Sequence, residues 1–256
     1  MRINISYFVL AVAFILAGCQ EENIPEPEQV GGKTLKAYIG DPKTKTHMGP
    51  LSDGVYKTLW SEGDEIYVVS GNEEAVYTLS SGAGTTEGLF VGKGDMKECR
   101  AYYPAENVSR IVDNGYLRVY AVFPDRQNYV KDSFEQGIYP MVAKGEDGVL
   151  KFHNIFSVVQ LNLTGTRRVD SLVFSRAFSG PASIAGSFIV GLGDDRLGNI
   201  VGNFNGDVEN TYAITIDCGE GVQLKEDEAT SFHVVIPPGN YGGFELAIYT
   251  PAHVQF

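Results

Sequence analysis

The chain has 256 residues, of which 43% are hydrophobic and 11% aromatic, enough to build one large core or two smaller ones. Acidic residues outnumber basic ones 32 to 20, for a net charge of −12, and no basic stripe escapes that balance, so a nucleic-acid partner is excluded. Tyr and Phe occur 14 times each, and 30 glycines and 11 prolines fall between short apolar runs, the composition of strands punctuated by turns.

Arg2 is followed by an uncharged apolar stretch from Tyr7 to Ala17. A bilayer-spanning helix needs about 20 apolar residues, so this stretch fits the apolar region of a signal peptide instead. It ends in Leu16-Ala17-Gly18-Cys19. Small residues ahead of a cysteine resemble the site cut by the lipoprotein signal peptidase. This predicts a leader over 1–18 and acyl chains on Cys19, where two or more chains on one residue give stable anchoring. The next residues, Gln20, Glu21 and Glu22, resemble the signal that sends lipoproteins of some Gram-negative anaerobes to the outer face of the outer membrane. Residues 19–33, with Pro25, Pro27 and Gly31-Gly32, are expected to form a polar tether.

From Lys33 onward apolar residues alternate with polar ones, the period of a half-buried strand. Leu35, Ala37 and Ile39 form the first such set. Further strands are predicted at Glu65–Val69, Ala75–Leu79, Cys99–Tyr103, Leu117–Phe123, Leu172–Phe174 and Ser187–Val190. Val159, Leu161 and Leu163 alternate in the same way, as do Tyr212, Ile214 and Ile216, then Phe232, Val234 and Ile236, then Phe244, Leu246 and Ile248. Turn signals separate the runs, among them Ser70-Gly71-Asn72, Asp113-Asn114-Gly115 and Glu146-Asp147-Gly148. No long stretch carries a helical apolar stripe. The expected fold is therefore all-β, with two β-sandwiches of about 110 residues each, over 34–148 and 149–256.

The chemistry-bearing residues form no set. His47, His153, His233 and His253 are too scattered for a zinc site, and no Gly-x-Ser-x-Gly elbow occurs, so no catalytic residue, metal or cofactor is expected. Cys99 and Cys218 are expected to be buried free thiols. The carboxylate clusters Glu62/Asp64/Glu65, Asp194/Asp195 and Glu226/Asp227/Glu228 have no calcium-loop spacing and are expected to be solvated turns. Trp60 is expected in a core. Tyr116 and Tyr120, opposite Leu117 and Val119, are the better candidates for an exposed sugar-stacking platform.

Several patches occur in a shared order: Lys45-Thr46, then Trp60-Ser61-Glu62-Gly63-Asp64-Glu65-Ile66, then Ala101-Tyr102-Tyr103-Pro104. Phe123-Pro124 with Gln127 and Tyr129, Pro140-Met141-Val142-Ala143, Leu150-Lys151-Phe152-His153-Asn154 and Ile236-Pro237-Pro238-Gly239-Asn240-Tyr241 continue it. Over about residues 35–250 the chain resembles the fimbrillin-like family (major and minor fimbrillins, type V pilus) of surface lipoproteins from anaerobic Gram-negative bacteria. The resemblance implies two tandem transthyretin-like, Greek-key β-sandwich domains behind a lipoprotein signal peptide. It implies a pilus subunit or adhesin at the cell surface, lipid-anchored in the outer membrane, with other pilus subunits or host and bacterial surface ligands as partners. In polymerising members a protease removes the first strand, usually after an arginine, and a strand from another subunit fills the groove. Here the strand would be that of Leu35, Ala37 and Ile39. No arginine lies between Cys19 and Arg100, only Lys33, Lys36, Lys43, Lys45 and Lys57, so a lysine-directed cut is the one the sequence permits. Family members run on for further strands beyond the position of Phe256, including a donor segment. A second function class stays open: a monomeric surface glycan-binding lipoprotein of a nutrient-uptake system.

Overall fold

The computed structural model describes residues 33–39, 47–52, 55–96, 98–177, 183–204 and 209–251. The expected leader, Cys19, Gln20, Glu21, Glu22 and the tether up to residue 32 lie outside the described residues. The described strands, in chain order, are β1 (Lys33–Ile39), β2 (His47–Ser52), β3 (Val55–Leu59), β4 (Glu65–Ser70), β5 (Glu73–Ser81), β6 (Glu87–Gly92), β7 (Cys99–Tyr103), β8 (Val108–Asp113), β9 (Leu117–Phe123) and β10 (Arg126–Asn128). They continue with β11 (Met141–Glu146), β12 (Val149–Asn154), β13 (Ser157–Leu163), β14 (Arg168–Arg176), β15 (Gly186–Gly191), β16 (Ile200–Asn203), β17 (Ala213–Gln223), β18 (Thr230–Ile236) and β19 (Phe244–Tyr249). One 3-10 turn, Ala105–Asn107, is the sole helical element among the described residues, so the fold is all-β as expected.

Seven strands close a barrel in the order β1-β12-β11-β7-β4-β5-β6. Its interior holds Leu35, Ala37, Trp60, Ile66, Tyr77, Phe90, Tyr103, Met141, Leu150 and Phe152, all buried. A second core collects Val119, Ala121, Phe123, Leu172, Phe174, Phe188, Ile214, Ile216, Phe232 and Val234. Around it lie the sheets β10-β17-β14-β19 and β16-β15-β9-β8 and the pair β13-β18. Tyr102 and Val142 point out of the barrel wall into this second core. Strands β7 and β11 are thus covered on both faces, which explains their near-continuous burial.

The expected division at Gly148 corresponds to no break between cores. Asp147 and Gly148 both have positive φ, 52° and 78°, and form the two-residue turn that joins β11 to β12 as a hairpin. An Asp-Gly turn binds its flanking strands together, whereas a domain boundary is where few contacts cross. The cores are instead interlaced in sequence. The chain leaves the barrel after β7, builds β8, β9 and β10 into the second core, returns for β11 and β12, and leaves again before β13. Residues 108–128, expected in the first unit, therefore belong to the second core.

The alternation in β19 also has a different outcome. Leu246 packs on the core, but Phe244 and Ile248 are 55% and 45% exposed, because β19 is an edge strand paired only to β14 among the described residues.

Candidate functional site

The first strand is the stave that closes the barrel. β1 pairs antiparallel with β6, Leu35 opposite Phe90 and Ala37 opposite Gly88, and parallel with β12, Ala37 beside Leu150 and Ile39 beside Phe152. The burial pattern follows the predicted alternation: Leu35, Ala37 and Ile39 are buried, while Lys33, Thr34 and Lys36 are exposed. At its middle the seat is narrow. A Cβ on Gly88 would come within 2.9 Å of the Trp60 ring, so the tryptophan uses the room that a side chain there would need. Opposite that glycine β1 presents Ala37, giving the strand a large–small–large signature of inward side chains.

Trp60 is fully buried and packs edge-on against Phe90, Tyr103 and Phe152, with centroids 4.9, 5.7 and 5.4 Å away. The residues after it form a turn in which Gly63 takes φ +81°, a conformation that suits glycine. Asp64 then turns inward. Its Oδ2 accepts the Ser61 N–H at 2.7 Å, and its Oδ1 accepts the Tyr103 hydroxyl at 2.8 Å and the Gln136 amide at 2.9 Å. Burial, and then the neighbouring carboxylate, push the Tyr103 phenol well above its ordinary pKa. Asp64 was expected in a solvated cluster. It is instead a buried acceptor that ties the turn to the barrel wall and to the segment linking β10 and β11, while Glu62 and Glu65 remain exposed.

The other expected residues are dispersed. Tyr116 is 56% exposed and Tyr120 half-buried, while Tyr102 and Tyr103 are buried, one in each core. Tyr116 lines a concave space of about 270 Å³ with Arg118, Gly191, Gly193, Asp195, Arg196 and Val201. The sequence offered no signal for Arg118 and Arg196 as neighbours, because they lie on different strands and loops that only the β9–β15 pairing brings together. Among the described residues no cluster of His, Cys, Asp and Glu could hold a metal ion.

Cys99 and Cys218 are both buried free thiols. They lie in different clusters, Cys99 in the barrel and Cys218 in the second core. Burial pushes each thiol up from an ordinary value of about 9 to about 11. Between those values the unfolded chain has lost the protons that the folded chain still holds. The thiols' contribution to stability is thus full below pH 9 and lost as the pH rises through 11. Thermal melts in the presence of a reductant should show a steady fall across this window. At pH 8 neither thiol should react with a thiol-specific dye until denaturant is added.

The chain was compared with family models, with curated proteins and with solved structures, and none of the three matches it.

Proposed function

We propose that the chain is a fimbrillin-like surface lipoprotein, held at the outer membrane through Cys19, which joins other pilus subunits or surface ligands by β-strand addition. The observation that supports this reading is the seat of β1: a leading strand that closes a barrel between two partners and buries alternate side chains. A strand held in this way can be replaced by another of the same pattern, because its ladder uses backbone groups that every sequence carries. In this reading the barrel answers to the family's first transthyretin-like, Greek-key unit and the second core to its second unit. Gln20, Glu21 and Glu22 would direct the lipoprotein to the surface.

The test is a strand exchange. A protease site placed between β1 and β2 allows β1 to be cut from the remainder. The cut protein should slowly take up a labelled peptide with the sequence of residues 31–39 and should form laddered, heat-resistant oligomers. A peptide carrying Ala37→Leu should not be taken up, because Gly88 and Trp60 leave it no room. A cut protein that stays monomeric and never incorporates the label would overturn the proposal. Acylation is checked separately by mass spectrometry of the membrane-extracted protein, at Cys19.

A further inference from the structure

The outer face of the sheet β16-β15-β9-β8 carries a row of arginines and aromatic rings. Leu117, Val119, Ala121 and Phe123 of β9 point toward the second core, which leaves Arg118 and Tyr120 on the opposite face. Arg110 of β8 pairs with Tyr120 in register, and its guanidinium rests 4.2 Å above the Tyr120 ring. Phe204 meets the same ring edge-on at 5.1 Å. Next along β9 is the concave space lined by Tyr116, Arg118 and Arg196, with the Arg196 guanidinium 5.4 Å from the centre of the Tyr116 ring.

The walls of this space are held by backbone. Leu192 and Gly193 both donate to the Leu117 carbonyl, Gly198 donates to the Gly191 carbonyl, and Gly191 donates to the Asn199 carbonyl. A Cβ on Gly191 would stand 2.4 Å from the Arg196 carbonyl oxygen, so the loop closes on the strand only because that residue is glycine. Of the two aspartates in the loop, Asp194 faces the barrel, where it is paired with Arg100 and Lys144. Asp195 alone stays beside Arg196, with a long 3.5 Å contact. The Arg118 guanidinium is steered by neutral acceptors, the Tyr116 carbonyl and the Asn114 side chain. Among the described residues neither Arg110 nor Arg118 forms an ion pair with a carboxylate.

The geometry points to this cleft as a binding site for a carboxylated sugar, a uronic-acid unit of an acidic polysaccharide. A guanidinium matches a carboxylate with two parallel hydrogen bonds, and the exposed Tyr116 ring offers a flat apolar face to the C–H side of a sugar. The space of about 270 Å³ lies below the ~300–1,000 Å³ of sites for larger ligands, a size that suits one sugar ring. The net charge of −12 repels polyanions at long range. Binding must therefore come from local fit, not from general charge attraction. The site lies away from β1 and does not depend on strand exchange.

The full chain is tested by affinity electrophoresis and calorimetry near physiological salt, with polygalacturonate, its fully methyl-esterified form and dextran sulfate as probes. Polygalacturonate should bind and its methyl ester should not. Tyr116→Ala and Arg118→Gln should each weaken binding at least about tenfold, the loss expected for one such contact. Lys225→Gln, a charge removed from an exposed loop, should leave it unchanged. Absence of polygalacturonate binding overturns the proposal. So does equal binding of dextran sulfate that survives Tyr116→Ala, since that would be charge attraction alone.

Discussion

Replacing Trp60 by Ala is expected to cost about 3–5 kcal/mol of folding stability, most of what a domain of this kind possesses. Trp60 is the chain's single tryptophan and is fully buried. Three rings lean on it edge-on, and Gly88 has been kept free of a side chain to admit it. The void left by truncation is walled by strands of a closed barrel, which cannot move inward without breaking their ladders. Such a site relaxes little, which places the cost toward the upper end of the range for large-to-small substitutions. The measurement is guanidinium unfolding followed by circular dichroism, since the variant has no tryptophan fluorescence. The same variant should exchange β1 faster in the cut protein, because Trp60 fills the space at Gly88, the residue that β1 faces with Ala37. A variant that unfolds at the wild-type midpoint would mean that the barrel interior is not organised around this ring.

Gln127→Leu is expected to cost about 2–4 kcal/mol, by a different mechanism. Gln127 lies on β10, is buried, and acts as a one-residue strand. Its Nε2 donates to the Val235 carbonyl at 2.9 Å and its Oε1 accepts the Val235 N–H at 3.0 Å. It thereby links the sheet of β10, β17, β14 and β19 to the pair β13-β18, which share no backbone ladder. Leucine fills similar space but leaves the Val235 donor and acceptor buried without partners. Gln127→Glu should be no better, because a carboxylate has no N–H for the Val235 carbonyl. Amide hydrogen exchange at Val235 distinguishes this account from a general loss of packing. The amide should be protected in the wild type and exchange quickly in Gln127→Leu, while Val234 and Phe232, whose groups pair elsewhere, change less.

The period-two alternation made the strands legible because it is a local property. Leu35, Ala37 and Ile39, or Phe232, Val234 and Ile236, show their buried face in the sequence and bury it in the structure. The partner of each strand is decided by contacts far apart in the chain, and these leave no local trace. The pairing of β9 with β15, and the return of the chain to the barrel for β11 and β12, could not be read for that reason. Asp147-Gly148 was legible as a turn, but a turn within a hairpin and a turn between domains use the same residues. Asp64 illustrates a further limit. A carboxylate flanked by Glu62 and Glu65 looks solvated, and only the approach of Tyr103 and Gln136 from distant segments makes its burial favourable. Tyr116 and Tyr120 were legible as an exposed face, but the arginines beside them were not, since Arg110, Arg118 and Arg196 are brought together only by the ladders and the loop they support.

The parallel pairing of β1 with β12 sets a schedule for the growing polypeptide. Lys36 lies beside Val149, so β1 must wait for more than a hundred later residues before its second edge is satisfied. Until then a nascent chain carries an open, hydrogen-bonding ribbon that can join a neighbour's as readily as its own. A chaperone that shields extended segments should raise the yield of soluble product, and slow elongation just before residue 150 should lower it. A circular permutant that begins at β11 would have β12 in place before β1 is made, so that β1 meets its parallel partner as it emerges and the waiting edge becomes that of β12.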